Sequence, residues 1–154
     1  MLWYVKKGLV KSVLYHEDHL PMSYIRWHEG DYLISDADGK QQFKVSRLSP
    51  QSLHIQGSAK EGTAIIVYGE SDFLMRPPRA EQLTMLWEDA VITIKQSEKR
   101  DFLLFSGETT MGSITGMFKH TVKISLNKNW PPDFAALLYV LSLFMYHEDD
   151  VNLV

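Results

Sequence analysis

The sequence predicts a mainly β domain, an antiparallel barrel or sandwich, that ends on one buried α-helix. Three observations carry this. The stretch "WPPDFAALLYVLSLFMYHEDD" at 130–150 contains an uncharged, mostly apolar run from Phe134 to Met145. Upstream of it, apolar and polar residues alternate with period two, as on half-buried strands. Turn signals recur at short intervals, at Gly30-Asp31, Ser49-Pro50, Gly57 to Gly62, Pro77-Pro78 and Gly107, a spacing typical of all-β folds.

The elements follow in chain order. "MLWYVKKGLVKSV" reads as a strand, because its lysines lie within and after a short apolar patch, whereas a signal peptide puts positive charge first. "DYLISDADGKQQFKVS" reads as a hairpin: Tyr32 and Ile34 share a face, Asp38-Gly39 makes the turn, and Phe43 and Val45 return on one face. "TAIIVYG" at 63–69 is a β-branched apolar run expected to be a strand buried on both sides. "AVITIK" and "DFLLFSG" flank the polar turn "QSEKR". "SGETTMGSITG" at 106–116 suggests a phosphate cradle, but a strand follows it rather than the helix N-terminus that phosphate binding exploits. It reads as a strand with bulges. In 118–126, Phe118, His120, Val122, Ile124 and Leu126 fall on one face, so His120 is expected to be a hydrogen-bonded core histidine.

The helix is expected over about 132–146. Trp130 precedes proline and is held extended, and Pro131 and Pro132 suit a first turn, where missing N–H groups cost little. Asp133 sits at the positive end of the helix dipole. No polar face remains for solvent, so protein or lipid must enclose the helix. From Pro132 to Tyr146 it would span roughly 22 Å, short of a hydrocarbon core of about 30 Å, so burial in protein is preferred to tail insertion. Tyr139, Ser142 and Tyr146 form a stripe suited to hydrogen bonds with enclosing strands. Glu148, Asp149 and Asp150 oppose the dipole, which places the helix end near His147.

The chain of 154 residues reads as one domain, 1–154, with 45% hydrophobic and 23% charged residues, an ordinary globular composition. A net charge of −3 and a pI near 6.0 argue against a dedicated nucleic-acid binder. The absence of cysteine excludes disulfide scaffolds, thiol catalysis and thiolate metal sites.

Two stretches resemble the tubby-like β-barrel superfamily, which includes the tubby C-terminal domain, the phospholipid scramblases and the LURP-one-related proteins. "YLISDADGKQQFKVS" at 32–46 is similar to its strand–Asp–x–x–Gly–strand hairpin. "MFKHTVKISLNKNWPPDFAALLYVLSLFM" at 117–145 is similar to its last strand, turn and buried helix. The comparison is closest with small bacterial members. The resemblance implies a closed antiparallel barrel around a central hydrophobic C-terminal helix. It carries over no binding residue, because no position here matches tubby's phosphoinositide-binding cations, and the scramblases' cysteines and proline-rich region have no counterpart.

No nucleophile–base pattern, metalloprotease motif, Walker motif or dinucleotide glycine pattern is present. The protein is therefore read as non-catalytic, with no cofactor. "YHEDH" at 15–19 and "YHEDD" at 146–150 offer imidazole and carboxylate ligands, but both fit exposed turns and no metal site is assigned. The remaining signal is basic. "RPPR" and "KQSEKR" place Arg76, Arg79, Lys95, Lys99 and Arg100 in two expected loops. Brought to one end of a barrel, they would grip an anionic lipid headgroup or another small anion. Glu98 and Asp101 weaken that cluster. The alternative is a protein-interaction or regulatory module. Either reading expects a cytoplasmic protein without a membrane span, peripheral to the membrane where lipid is the ligand.

Overall fold

In the computed structural model the described residues are 1–69 and 79–151, with side chains described as far as His147. Among them are twelve strands: β1 (Leu2–Lys6), β2 (Lys11–His16), β3 (Pro21–His28), β4 (Asp31–Asp36), β5 (Gln41–Ser49), β6 (Ser52–Gly57), β7 (Glu61–Tyr68), β8 (Ala80–Trp87), β9 (Ala90–Gln96), β10 (Phe102–Ser106), β11 (Thr109–Thr115) and β12 (Thr121–Leu126). Each pairs antiparallel with its neighbours in sequence, and β1 closes the ring on β12 through pairs such as Trp3 with Ile124. The result is a closed barrel, which decides between the two predicted architectures.

A barrel of about eight strands is just wide enough to be filled by its own side chains. Twelve strands leave a wider interior, and the helix α1 (Pro132–Val151) fills it. Every residue from Ala135 to Ser142 is essentially inaccessible, so no side of the helix faces solvent. Inward strand residues such as Val5, Ile34, Leu53, Met85 and Leu104 surround it. This is why the helix sequence has no polar face.

Helix entry is held by local contacts. The Pro131 carbonyl accepts the N–H groups of Phe134 at 3.0 Å and Ala135 at 3.2 Å. The Trp130 ring stacks on Phe134 at 5.0 Å, and the buried Ser23 hydroxyl donates to Asp133 Oδ1 at 2.7 Å. The helix runs past the predicted end to Val151. No glycine or proline follows His147 to stop it, and each opposing carboxylate costs only about 0.3–1 kcal/mol at an exposed terminus. Arg100 also donates to the Tyr146 carbonyl and lies 3.8 Å from its ring, placing a cation where the dipole favours one.

Three expectations need correction. β7 is buried on one face only: Ala64 and Ile66 point inward, while Ile65 and Val67 are exposed on the outer wall. Apolar continuity resembled two-sided burial, but a closed barrel gives each strand one inner face. The strand at 118–126 begins at Thr121, and residues 118–120 form an exposed turn, so His120 is not in the core. Ser142 bonds the Leu138 carbonyl of its own helix at 2.9 Å rather than a strand.

Because successive strands reverse direction, alternate connections fall at opposite ends. The chain enters the helix at the end holding the β2–β3, β4–β5, β6–β7, β8–β9 and β10–β11 turns. It leaves at the end holding the β1–β2, β3–β4, β5–β6, β9–β10 and β11–β12 turns, with Tyr68 of β7 and Ala80 of β8.

Candidate functional site

The two ends differ in charge. At the entry end, the connections carry Glu17, Asp18, Asp38, Glu88, Asp89 and Glu108, against Lys40, Lys60 and Lys128. At the exit end the charges are mixed: the turns carry Lys7, Lys99, Arg100 and Lys119 against Glu29, Glu98 and Asp101, and the end of α1 contains Glu148, Asp149 and Asp150. One sector of the wall is nevertheless purely cationic. Residues 1–16 and 109–132 contain no aspartate or glutamate. They form β1, β2, β11 and β12, which closure of the barrel sets side by side. Of the six lysines in these segments, Lys6, Lys7, Lys11, Lys119 and Lys123 therefore share one stretch of wall with no carboxylate of its own, and Lys128 follows β12 at the entry end.

Its exit rim is built from two turns. In "KGLVK", Gly8 lies so close to the chain that a Cβ there would sit 2.3 Å from the Lys11 carbonyl oxygen. Only glycine allows this tight reversal, which pushes Leu9 and Val10 outward; Leu9 is fully exposed and Val10 is 79% exposed. In the β11–β12 turn, Met117 is buried as an anchor and Phe118 is 72% exposed. The turns are clamped together: the Lys7 N–H donates to the His120 carbonyl at 3.1 Å, and the Lys7 ammonium donates to the Met117 carbonyl. Three apolar tips thus project from a rigid rim between lysines.

Beneath the first turn lies a recess of about 260 Å³. Lys7, Lys11, Trp27, Leu143, Tyr32 and Tyr139 are among the residues that line it. The Lys7 ammonium is held by the Met117 carbonyl, and that of Lys11 lies 4.6 Å from the Tyr24 ring centre. Burial lowers the pKa of Lys7, and no carboxylate among the described residues pairs with it. Burial raises both tyrosines, Tyr139 further because Tyr32 is near, so both remain neutral phenols able to donate hydrogen bonds. Such a recess suits an anionic group attached to an apolar body.

The cations nominated from sequence lie at the same end. Arg79 donates to the Glu98 carbonyl at 3.2 Å and to Gln96 Oε1 at 3.4 Å, tying β8 to the β9–β10 turn. Arg100 shares that Gln96 oxygen and caps the helix. Lys95 lies 5.2 Å from the Phe105 ring centre, and Lys99 is exposed. Arg76 lies outside the described residues. The structure thus brings Arg79, Lys95, Lys99 and Arg100 to one end, with both guanidinium groups already engaged inside the protein. The lysines of the carboxylate-free sector were not among the residues nominated from sequence. The signal for them was the lack of acidic residues at 1–16 and 109–132.

The two "YHED" strings lie at opposite ends, one closing β2 at the entry end and the other in the last turns of α1. They cannot share a metal ion. Among the described residues no three His, Asp or Glu side chains gather to hold one. No helix among them is long and apolar enough to cross a membrane.

Neither a family model nor a curated protein matches the sequence. The structure matches the X-ray structure of a protein from Arabidopsis thaliana, AT5G01750, with a TM-score of 0.60 at 10% identity, over 98% of this chain and 90% of that one. The closed barrel filled by a C-terminal helix is the fold that the resemblance to the tubby-like superfamily implied. At this identity the likeness concerns fold alone.

Proposed function

We propose that this protein is a non-catalytic tubby-like barrel that docks on an anionic lipid surface by its helix-exit end and takes a lipid headgroup into the recess there. The observation that carries the reading is the pairing of exposed Leu9, Val10 and Phe118 with a lysine sector that has no carboxylate. Apolar tips gain by entering the acyl boundary, and surrounding lysines gain from the negative surface potential. Neither signal alone gives stable attachment, which generally needs two. Lys95, Lys99, Arg79 and Arg100 extend the basic arc around the same rim, and Glu81, Glu98 and Asp101 dilute it there. Such a protein works in the cytoplasm as a peripheral membrane binder.

Vesicle flotation tests this. Phosphatidylcholine vesicles with phosphatidylserine should carry the protein at low salt, and plain phosphatidylcholine vesicles should not. Attachment should weaken as salt shortens the Debye length from about 8 Å toward 3 Å. Lys11→Glu with Lys119→Glu should abolish attachment with an unchanged melting temperature, since both side chains are exposed. Equal attachment to neutral vesicles, or none to anionic ones, overturns the reading. A protein partner would then take precedence. The observation favouring one is the exposed apolar stripe of Ile65, Val67, Leu86, Val91 and Leu103 on the outer wall of β7 to β10.

A further inference from the structure

A second recess, of about 320 Å³, opens at the acidic entry end between the first turn of α1 and strands β5, β8 and β9. Its walls are aromatic. Phe43 and Trp87 meet edge to face at 5.6 Å, and Trp130 stacks on Phe134. The sequence makes room for this arrangement. Gly57 and Gly62, facing inward on β6 and β7, lie against the Trp87 indole; a Cβ at Gly62 would come within 2.7 Å of that ring. Two small residues thus let the largest side chain lie across the barrel mouth.

The charged groups there are acidic, beside the Gln42 amide and the Trp130 indole N–H. Asp133 lines the recess, and its Oδ1 accepts from the fully buried Ser23. No donor among the described residues reaches its other oxygen. Asp36 stands close enough to disfavour its charge further, with its own oxygens occupied by the N–H groups of Asp38 and Lys40 and by Gln42 Nε2. Glu88 also lines the recess and pairs with Lys60 at 2.9 Å. The helix terminus does not make this an anion site. Pro131 and Pro132 have no N–H, and the Pro131 carbonyl occupies those of Phe134 and Ala135.

We propose that this recess binds a small quaternary ammonium compound, with Phe43, Trp87, Trp130 and Phe134 around the alkylated nitrogen and Asp133 as its counter-charge. Ring faces attract cations through their quadrupole, and an alkylated ammonium carries its charge on a surface that also gains from apolar contact. A bare metal ion fits poorly, because hard cations require several oxygen ligands and the walls supply mainly ring carbon. A neutral apolar molecule would leave the half-buried carboxylate uncompensated. The volume falls within the range of small-ligand pockets. This site is separate from the lipid-docking end, and its test uses no membrane.

The experiment is calorimetric titration of the full-length protein with choline, tetramethylammonium, sodium, and 3,3-dimethylbutan-1-ol, the uncharged isostere of choline. Choline and tetramethylammonium should bind saturably, the isostere at least about tenfold more weakly, and sodium without measurable heat. Asp133→Asn, which keeps the size and the acceptor for Ser23, should lower choline affinity at least about tenfold without lowering the melting temperature. Trp87→Leu should do the same with the fold verified by circular dichroism. Absence of saturable choline binding, equal binding of the isostere, or an Asp133→Asn variant that binds like wild type would each overturn the proposal.

Discussion

Leu9→Ala isolates the apolar half of the proposed membrane docking. Leu9 is fully exposed at the tip of a turn held by Gly8 and clamped to the Met117–His120 turn, so its removal leaves the fold intact. Surface substitutions of this kind usually stay within about 0.5 kcal/mol. Leucine and alanine differ by three carbons, worth about 0.8 kcal/mol each when fully buried. A tip that reaches only the acyl boundary recovers part of this, about 1–2 kcal/mol, or roughly a five- to thirtyfold loss in vesicle partitioning. Lys11→Ala removes the other half. A lysine near an anionic surface contributes about 1 kcal/mol, roughly a fivefold effect at low salt. The two losses differ in their salt response. The Leu9 effect should persist at about 0.5 M salt, where the Lys11 effect should nearly vanish by screening. Partitioning is measured by sedimentation on sucrose-loaded vesicles across a salt series. If Leu9→Ala partitions like wild type at every salt concentration, the turn does not insert and the docking orientation is wrong.

Three further outcomes test the fold and the entry site. Leu138→Ala, at a wholly inaccessible position on the central helix, should cost about 2–5 kcal/mol in urea denaturation; a loss below about 1 kcal/mol would mean that the helix is not enclosed. Gly112→Ala places a Cβ 1.8 Å from the Ser125 carbonyl oxygen at the β11–β12 pairing and should prevent soluble, cooperative folding; a wild-type melting curve would contradict that register. Burial, and secondarily Asp36, hold the pKa of Asp133 above its unfolded value despite the Ser23 bond. The proton held by the fold therefore stabilises it below the unfolded pKa of about 3.9, and this stabilisation is lost as pH rises through the raised value. Asp133→Asn lacks that loss and should match or exceed wild-type stability at neutral pH; a variant clearly less stable at pH 7 would show that the ionised carboxylate stabilises the helix start.

Much of the fold was legible because its signals are local. The Asp36–Lys40 turn announces itself through Asp36, whose carboxylate accepts the N–H groups of Asp38 and Lys40, and through Gly39 at φ 87°. The helix start is written in Pro131, Pro132 and Asp133, and its enclosure in the missing polar face. What failed depended on position in the closed sheet. Burial of "TAIIVYG" on one face follows from barrel geometry, since the same residues in an open sheet covered on both sides would be wholly buried. The helix end was misplaced because Arg100, distant in sequence, supplies the cation that its last turns lack.

The same distinction explains the site. Sequence reading favours charges adjacent in the chain, and it found "RPPR" and "KQSEKR". There the cations lie beside Glu98 and Asp101, and the structure turns Arg79 and Arg100 inward to Gln96 and the helix end. Lys6, Lys7 and Lys11 are more than a hundred residues from Lys119 and Lys123, and the two groups become one surface only when β1 pairs with β12. Closure therefore creates the basic sector, and it does so on a rim whose shape is fixed by Gly8 and by the Lys7 bonds to the neighbouring turn. A chain with net charge −3 can then present one cationic sector on an otherwise mixed rim, opposite an acidic end. An anionic surface would attract that sector and repel the carboxylates elsewhere, which would tilt the barrel toward its lysine-bearing rim before any apolar tip makes contact.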